Sequence, residues 1–168
     1  AVSARPPEFP QPIKDLNAAI TFNGPRASWK ESSLRLGNSR INTSGEIESL
    51  SPLRLKFGLS SPEIRPADFQ TVGEDRKGDV LRSVRSEGQL ASGDGGIRYG
   101  GTITSGDGTL YRIPYRNLNT TLAFAGKVLT IKSLKADAMS GAIQSQGEYT
   151  FIDPAPRFSL ASKFQGID

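Results

Sequence analysis

The sequence of 168 residues contains no histidine and no cysteine. An imidazole base, a thiolate nucleophile and the usual ligand sets for zinc, copper and iron–sulfur clusters are therefore unavailable. Carboxylates remain, and a pair of them can support reactions such as glycoside hydrolysis. We expect that the protein is not an enzyme and that it needs no cofactor and no metal.

Long apolar runs and clusters of one charge are missing as well. No segment approaches the roughly 18 apolar residues of a membrane span, and the first residues lack the apolar core of a signal peptide. Because the sequence does not begin with methionine, we expect a fragment of a longer protein whose membrane anchor lies elsewhere. The 21 basic and 17 acidic residues are scattered singly, whereas a nucleic-acid surface needs clustered basic residues. We therefore expect no nucleic-acid partner.

The sequence contains an internal repeat. Residues 12–47 align without a gap onto residues 114–149, at an offset of 102. Nine of these 36 positions are identical, more than chance would supply. They are Pro12/Pro114, Leu16/Leu118, Asn17/Asn119, Phe22/Phe124, Gly24/Gly126, Lys30/Lys132, Ile41/Ile143, Gly45/Gly147 and Glu46/Glu148. The two halves of the chain are therefore predicted to be one supersecondary unit used twice.

Within each copy, apolar residues recur at every second position. Leu16, Ala18, Ile20 and Phe22 alternate with polar or small residues, which is typical of a strand with one buried face. Three further segments of each copy show the same period, and glycines such as Gly24 mark the turns between them. Four short strands with one-sided alternation predict an antiparallel meander in each copy.

The segment between the two copies has a different character. Asp79 has the side chain of a helix N-cap, Leu81 and Val84 have the spacing of one helical face, and Gly88 could end a helix. This pattern predicts a short connecting helix over 79–86. The expected organisation is an extended lead-in (1–11), a first β-repeat (12–61), a connector with a short helix (62–88), hairpin strands (89–113) and a second β-repeat (114–168).

A one-sided meander has an apolar face that something must cover, since exposed apolar surface costs about 25 cal/mol per Å². A second sheet could cover it, or one curved sheet could form a trough that fits an acyl chain. We expect a mainly β fold, a curved antiparallel meander sheet (β-groove or half-barrel) built from two homologous repeats with one short connecting helix. The residues predicted to line the groove are Ile20, Phe22, Trp29, Leu36, Ile41, Leu55, Phe57, Leu122, Phe124, Ile131, Ile143, Phe158 and Leu160.

The second copy carries a family resemblance. Its pattern Pro-x-x-Asn-Leu-Asn-x-x-Leu-x-Phe-x-Gly over 114–126, followed by Leu129-Thr-Ile131 and Gly147-Glu-Tyr149, resembles the AsmA-like family of bacterial envelope proteins. Residues 12–68 resemble the same pattern more loosely. The resemblance implies a periplasmic segment of a protein that is anchored in the inner membrane. It also implies a groove that carries phospholipid, or another acyl-chain lipid, in inner-to-outer membrane transport and envelope biogenesis, with envelope proteins as further partners.

Two alternatives remain open at the level of the sequence. One is a non-catalytic structural or protein-interaction β-module, such as a scaffold for outer-membrane assembly, with a packed dry core. The other is a carbohydrate-active enzyme that uses Glu46 and Glu148, which hold equivalent places on the polar faces of the two repeats. Whether the apolar face is an open groove or a closed core separates the lipid hypothesis from the first alternative.

Overall fold

The computed structural model describes residues 10–93, 96–151 and 155–166, so most of the predicted lead-in lies outside the described residues. Its ten strands are β1 (Ile13–Asn23), β2 (Arg26–Leu36), β3 (Ser39–Leu50), β4 (Leu53–Ile64), β5 (Val80–Gly93), β6 (Gly96–Leu110), β7 (Ile113–Ala125), β8 (Val128–Ala138), β9 (Gly141–Thr150) and β10 (Arg157–Gln165). They form one sheet in which each strand pairs with the next along the chain, always antiparallel, and β1 and β10 are its edges. The predicted mainly β antiparallel meander is confirmed.

Strand boundaries and irregularities recur at the offset of 102 residues. β8 has the bounds of β2 shifted by that offset. Both strands slip in register against the following strand at equivalent places, after Trp29 and after Ile131. The equivalent residues Asp15 and Asn117 both have positive φ, 53° and 52°. A common origin of the two repeats stays a prediction, and these shared features support it.

The predicted helix over 79–86 is wrong, because this segment begins strand β5. Leu81 and Val84 have helical spacing, but Ser83 between them has a φ of 52°, and a left-handed residue interrupts the alternation of a strand. Val84 is buried and Leu81 packs against the core, so a strand can show the spacing of a helix here. Gly88, predicted to end the helix, lies inside β5.

The helical residues of the described chain lie earlier in the connector. They are the four residues of α1 (Pro66–Phe69) and one 3₁₀ turn (Glu74–Arg76). The Asp68 carboxylate in α1 accepts hydrogen bonds of 3.0 Å from the backbone N–H groups of Asn38 and Ser39, and one of 2.7 Å from the Ser39 hydroxyl. Asp68 thus fastens the connector to the turn between β2 and β3.

Asp79 fastens the other end of the connector. Its carboxylate accepts a hydrogen bond of 2.7 Å from the backbone N–H of Tyr111, in the turn between β6 and β7. It also accepts one of 3.1 Å from Arg76 Nε, and the Arg76 guanidinium lies 4.5 Å from the centre of the Tyr111 ring. The carboxylate predicted to cap a helix therefore joins the connector to the sheet.

The connector crosses the end of the sheet at which most of the core lies, and we call this the packed end. Its buried apolar residues are Leu36, Ile41, Val80, Val84, Tyr115, Leu118 and Ala138. The Tyr115 hydroxyl and Ser105 Oγ are joined by a hydrogen bond of 2.8 Å, so the polar atom of this buried ring has a partner. The opposite end of the sheet has no such cover among the described residues.

Candidate functional site

At that opposite end, the cross-strand register forms a continuous apolar row through all ten strands. Neighbouring members are direct partners across each strand pair. Five of the ten are aromatic, and we call this the aromatic row. It consists of Phe22, Ala27, Ile47, Leu55, Leu90, Tyr99, Phe124, Leu129, Tyr149 and Phe158.

A second continuous row lies two residues away in every strand, and therefore on the same face. We call it the glycine row, because glycine occupies four of its ten positions. It consists of Ile20, Trp29, Gly45, Phe57, Gly88, Gly101, Leu122, Ile131, Gly147 and Leu160. Ten strands have nine spacings of about 4.8 Å, so each row is about 43 Å long when measured along the sheet.

Large side chains cover the glycines of this row. The rings of Phe57 and Tyr99 stack with their centres 6.1 Å apart, across the strand that carries Gly88. A Cβ at Gly88 would lie 2.8 Å from Tyr99 and 3.0 Å from Phe57. The Trp29 ring contacts the corresponding position at Gly45. The glycines thus let aromatic rings lie against the backbone, where a Cβ would otherwise be, and the surface at the glycine row is apolar.

A third row separates this surface from the packed end, and we call it the hydroxyl row. Its members are Ser32, Thr43, Leu59, Ser86, Ile103, Thr120, Leu134, Ser145 and Ser162. Several of its hydroxyls bond within the sheet: Thr43 donates to the Gly58 carbonyl at 2.9 Å and Thr120 to the Ser133 carbonyl at 3.0 Å. Along each strand, the side chains of this face thus change from apolar to mixed before the buried core of the packed end is reached.

The structure divides the thirteen predicted lining residues between the two ends. Ten belong to the aromatic and glycine rows: Ile20, Phe22, Trp29, Leu55, Phe57, Leu122, Phe124, Ile131, Phe158 and Leu160. The other three lie at the packed end. Leu36 and Ile41 are only 2% and 5% exposed, and Ile143 packs against the core cluster. Leu36 and Ile41 are therefore core residues, and Ile143 is partly buried against the core, so we do not expect these three side chains to hold a ligand.

Apart from Ala27, which is 5% exposed, the two apolar rows are open, and we call them together the open face. Substantial contacts join each strand of the described chain only to its neighbours in the sheet, so no second layer covers these rows. Between the edges, Phe57, Leu90 and Leu122 are half-buried. On the edge strands, Phe22 is 73% and Leu160 46% exposed. Large uncovered apolar surfaces of folded proteins often serve as interaction sites, and the open face is therefore the candidate site.

The reverse face of the sheet is polar and carries mixed charges. A cleft of about 1240 Å³ crosses it from β2 to β8, and most of its lining residues alternate with the apolar rows. They include Lys30, Glu46, Lys56 and Lys132. Lys56 Nζ donates a hydrogen bond to the Glu48 carboxylate. This bond lowers the pKa of Glu48 and raises the pKa of Lys56. The cleft is therefore distinct from the predicted acyl-chain groove.

Glu46 and Glu148, the carboxylates considered for glycoside hydrolysis, lie on this reverse face. Glu46 is on β3 and Glu148 on β9. The six strand spacings between them correspond to about 29 Å along the sheet, whereas paired glycosidase carboxylates lie about 5 to 10 Å apart. Their placement gives no support to a shared catalytic role.

Among the described residues, no group of three or more acidic side chains is arranged to hold a metal ion. The same part of the chain has no helix that is long and apolar enough to cross a membrane. Comparisons with family models, curated proteins and solved structures find no match to this chain. The geometry of the open face is therefore the basis for a functional proposal.

The predicted set omits several members of the two rows. Leu90 and Tyr99 are the clearest cases, since both lie in the middle of the open face. The alternation of Ser86, Gly88 and Leu90 was a usable signal, but the helix predicted over the preceding residues concealed it. Glycine positions could not be found from hydropathy, because they contribute space for a neighbouring ring and no apolar side chain of their own.

Proposed function

We propose that the chain is a segment of a periplasmic, AsmA-like envelope protein whose open face holds the acyl chains of phospholipids. The protein acts in lipid transport between the inner and outer membranes and is not an enzyme. The observation that carries the proposal is the pair of apolar rows that continues through all ten strands with no described element over it. The resemblance of residues 114–126 to that family supplies the cellular setting.

The energetics of the surface suit a lipid that must enter and leave. Each methylene removed from water contributes roughly 0.8 kcal/mol. A face that covers only one side of a chain of about 14 methylenes gains roughly half of the full value, or about 6 kcal/mol. That is less than the full value that a bilayer provides, so release of the lipid from the face into a membrane is favoured. Each row is about 43 Å long along the sheet, which is longer than the hydrocarbon of one bilayer leaflet is thick, about 15 Å.

The packed end supports the alternative function for its own part of the molecule. Leu118 and Tyr115 form a core there, as a non-catalytic structural β-module with a dry interior requires. The two interpretations therefore apply to different ends of one face. Lipid contact is expected at the aromatic and glycine rows and not beyond the hydroxyl row.

Trp29 offers a direct test, since it is the single tryptophan of the chain and lies in the glycine row. The purified chain is mixed with phosphatidylcholine whose acyl chains carry bromine, a contact quencher of tryptophan fluorescence. Acyl chains on the open face should quench Trp29, and the same lipid without bromine should not.

A matched control moves the tryptophan to the reverse face. The double variant Trp29→Phe with Gln146→Trp places it at an exposed position of β9 that faces Ala161 of β10. Quenching should fall to the background seen with unbrominated lipid. Equal quenching in both proteins, or none in either, would contradict the proposal.

A further inference from the structure

The cleft on the reverse face gathers basic residues that the sequence scatters singly. It has a volume of about 1240 Å³ and crosses the sheet from β2 to β8. Its charged lining residues, all exposed, are the basic Lys30, Lys56, Arg98 and Lys132 and the acidic Glu46 and Glu87. The aromatic, glycine and hydroxyl rows on the opposite face contain no charged residue. The fold therefore produces a local excess of positive charge that the linear sequence does not show.

The basic residues of the cleft come from alternate strands, β2, β4, β6 and β8. With about 4.8 Å between strands, a cation occurs about every 10 Å along the sheet, and the outer two are about 29 Å apart. These two, Lys30 and Lys132, are equivalent in the two repeats and directly follow the register slips after Trp29 and Ile131. The repeat thus supplies one lysine to each end of the cleft.

Most of these cations have no counterion within the protein. Lys56 pairs with Glu48. Among the described residues, Lys30, Arg98 and Lys132 take part in no ion pair. Three separated and exposed cations that share one cleft favour a ligand that carries several negative charges along its length.

The floor of the cleft leaves room for a ligand to approach the backbone. A Cβ at Gly100 would meet nothing within 4 Å, and one at Gly58 would meet only Ser44 Oγ, at 3.4 Å. The hydroxyls of Ser44 and Thr102 are exposed, and in the part of the chain that the structure describes they have no hydrogen-bond partner. The cleft therefore offers free hydrogen-bonding groups as well as charge.

Two other classes of anionic ligand fit the cleft less well. Single-stranded nucleic acids are held by aromatic rings on which their bases stack. The rings of Phe57 and Tyr99 stack on the open face, and the Trp29 ring lies over Gly45 on that same face. Among the described lining residues, the reverse face therefore offers no ring to a base. An acidic peptide would find neither a free strand edge nor an apolar pocket within the cleft, which are common anchors for peptides.

We propose that this cleft binds an acidic polysaccharide, a chain of sugars that carries carboxylate, sulfate or phosphate groups. The anionic groups contact Lys30, Arg98 and Lys132, and sugar hydroxyls donate hydrogen bonds to Glu46 and Glu87. Each contact at an exposed charge is weak, so affinity comes from several contacts along the sugar chain and falls as salt is added. The inference goes beyond lipid binding, concerns the opposite face of the sheet and does not depend on the proposed function.

Fluorescence polarisation of labelled oligosaccharides, at low salt and without lipid, tests the proposal. The purified chain should bind carboxylated fragments of alginate, sulfated dextran or both, and should release them as sodium chloride is added. The double variant Lys30→Gln with Lys132→Gln should weaken binding by about tenfold. Its matched control, Lys14→Gln with Lys127→Gln, removes the same charge at exposed positions outside the cleft. That control should change the affinity by less than about twofold.

A variant of the floor separates a binding site from general attraction between opposite charges. Gly100→Gln fills the cleft without a change of charge and should abolish saturable binding. Ala161→Gln, at an exposed position of β10 outside the cleft, should leave binding unchanged. Circular dichroism should show the native spectrum for every variant.

Several outcomes would overturn the inference. They are no binding of either anionic sugar at low salt, equal losses in the two lysine pairs, and full binding by Gly100→Gln. Equally tight binding of neutral dextran, polyglutamate or single-stranded DNA would overturn it as well. Because no lipid is present, these outcomes do not depend on lipid binding.

Discussion

Two leucines on strand β7 provide a matched test of the division between the packed end and the open face. Leu118 and Leu122 lie four residues apart on the same face of the same strand. Leu118 is 8% exposed and belongs to the core cluster, whereas Leu122 is half-buried in the glycine row. Replacing each with aspartate makes the same chemical change in two environments.

The expected costs differ by several kcal/mol. Leu118→Asp removes a buried leucine, which costs about 2–5 kcal/mol, and places a carboxylate where no partner is available, so the total should exceed about 4 kcal/mol. Leu122→Asp loses only partial burial, and its carboxylate can reach water, so about 1–2 kcal/mol is expected. A domain at the low end of ordinary stability, about 5 kcal/mol, would be nearly unfolded by the first change and would tolerate the second.

Urea unfolding followed by circular dichroism measures both costs. With a slope of about 2 kcal/mol per M, Leu118→Asp should lower the midpoint by more than about 2 M and Leu122→Asp by about 0.5–1 M. Leu118→Ala and Leu122→Ala should follow the same order without the added charge. Equal destabilisation by the two aspartates would show that the whole face is packed core, and the proposed open face would not exist.

Three further predictions concern the connector, the glycine row and alkaline pH. Asp68→Ala should lower the free energy of unfolding by about 3 kcal/mol, since three donors lose their acceptor; an unchanged urea midpoint would mean that the connector is not fastened there. Gly88→Ala should cost about 1–3 kcal/mol, since its Cβ would crowd two aromatic rings, while Gly100→Ala on the reverse face, where a Cβ meets nothing within 4 Å, should be neutral or stabilising. Equal urea midpoints of the two alanine variants would contradict the tight packing at Gly88. Burial raises the pKa of Tyr115, so its contribution to stability should be present below about pH 10, the unfolded value, and be lost above it. In urea titrations at several pH values, Tyr115→Phe should reduce that alkaline loss, and an identical pH profile would contradict this.

Most strands could be predicted from the sequence because they have a one-sided alternation that ends at a turn residue. Leu16 to Phe22 and Leu118 to Phe124 show this pattern clearly, and both segments are strands. The segment after Asp79 could not be predicted in this way. A left-handed residue at Ser83 breaks the alternation, and the resulting three-residue spacing is the same as that of a helix.

The division of the apolar face could not be predicted from the residues alone. Leu36 and Leu122 have the same side chain and lie on the same face, yet Leu36 is buried and Leu122 belongs to the open face. Leu36 lies beside the turn that Asp68 binds, and the connector is held at this end of the sheet by hydrogen bonds of Asp68 and Asp79 to turns far away in sequence. Hydropathy carries no information about such long-range hydrogen bonds.

Site-specific photo-crosslinking tests the central claim most directly. A benzophenone amino acid is introduced at Leu122 on the open face, at Leu118 in the packed end, or at Gln146 on the reverse face. Each protein is irradiated with vesicles of phosphatidylethanolamine and phosphatidylglycerol and its mass is measured. We predict a phospholipid adduct at position 122 and none above background at 118 or 146. Equal adducts at 122 and 146, or no adduct at 122 in a folded protein, would contradict the proposal that this face holds acyl chains.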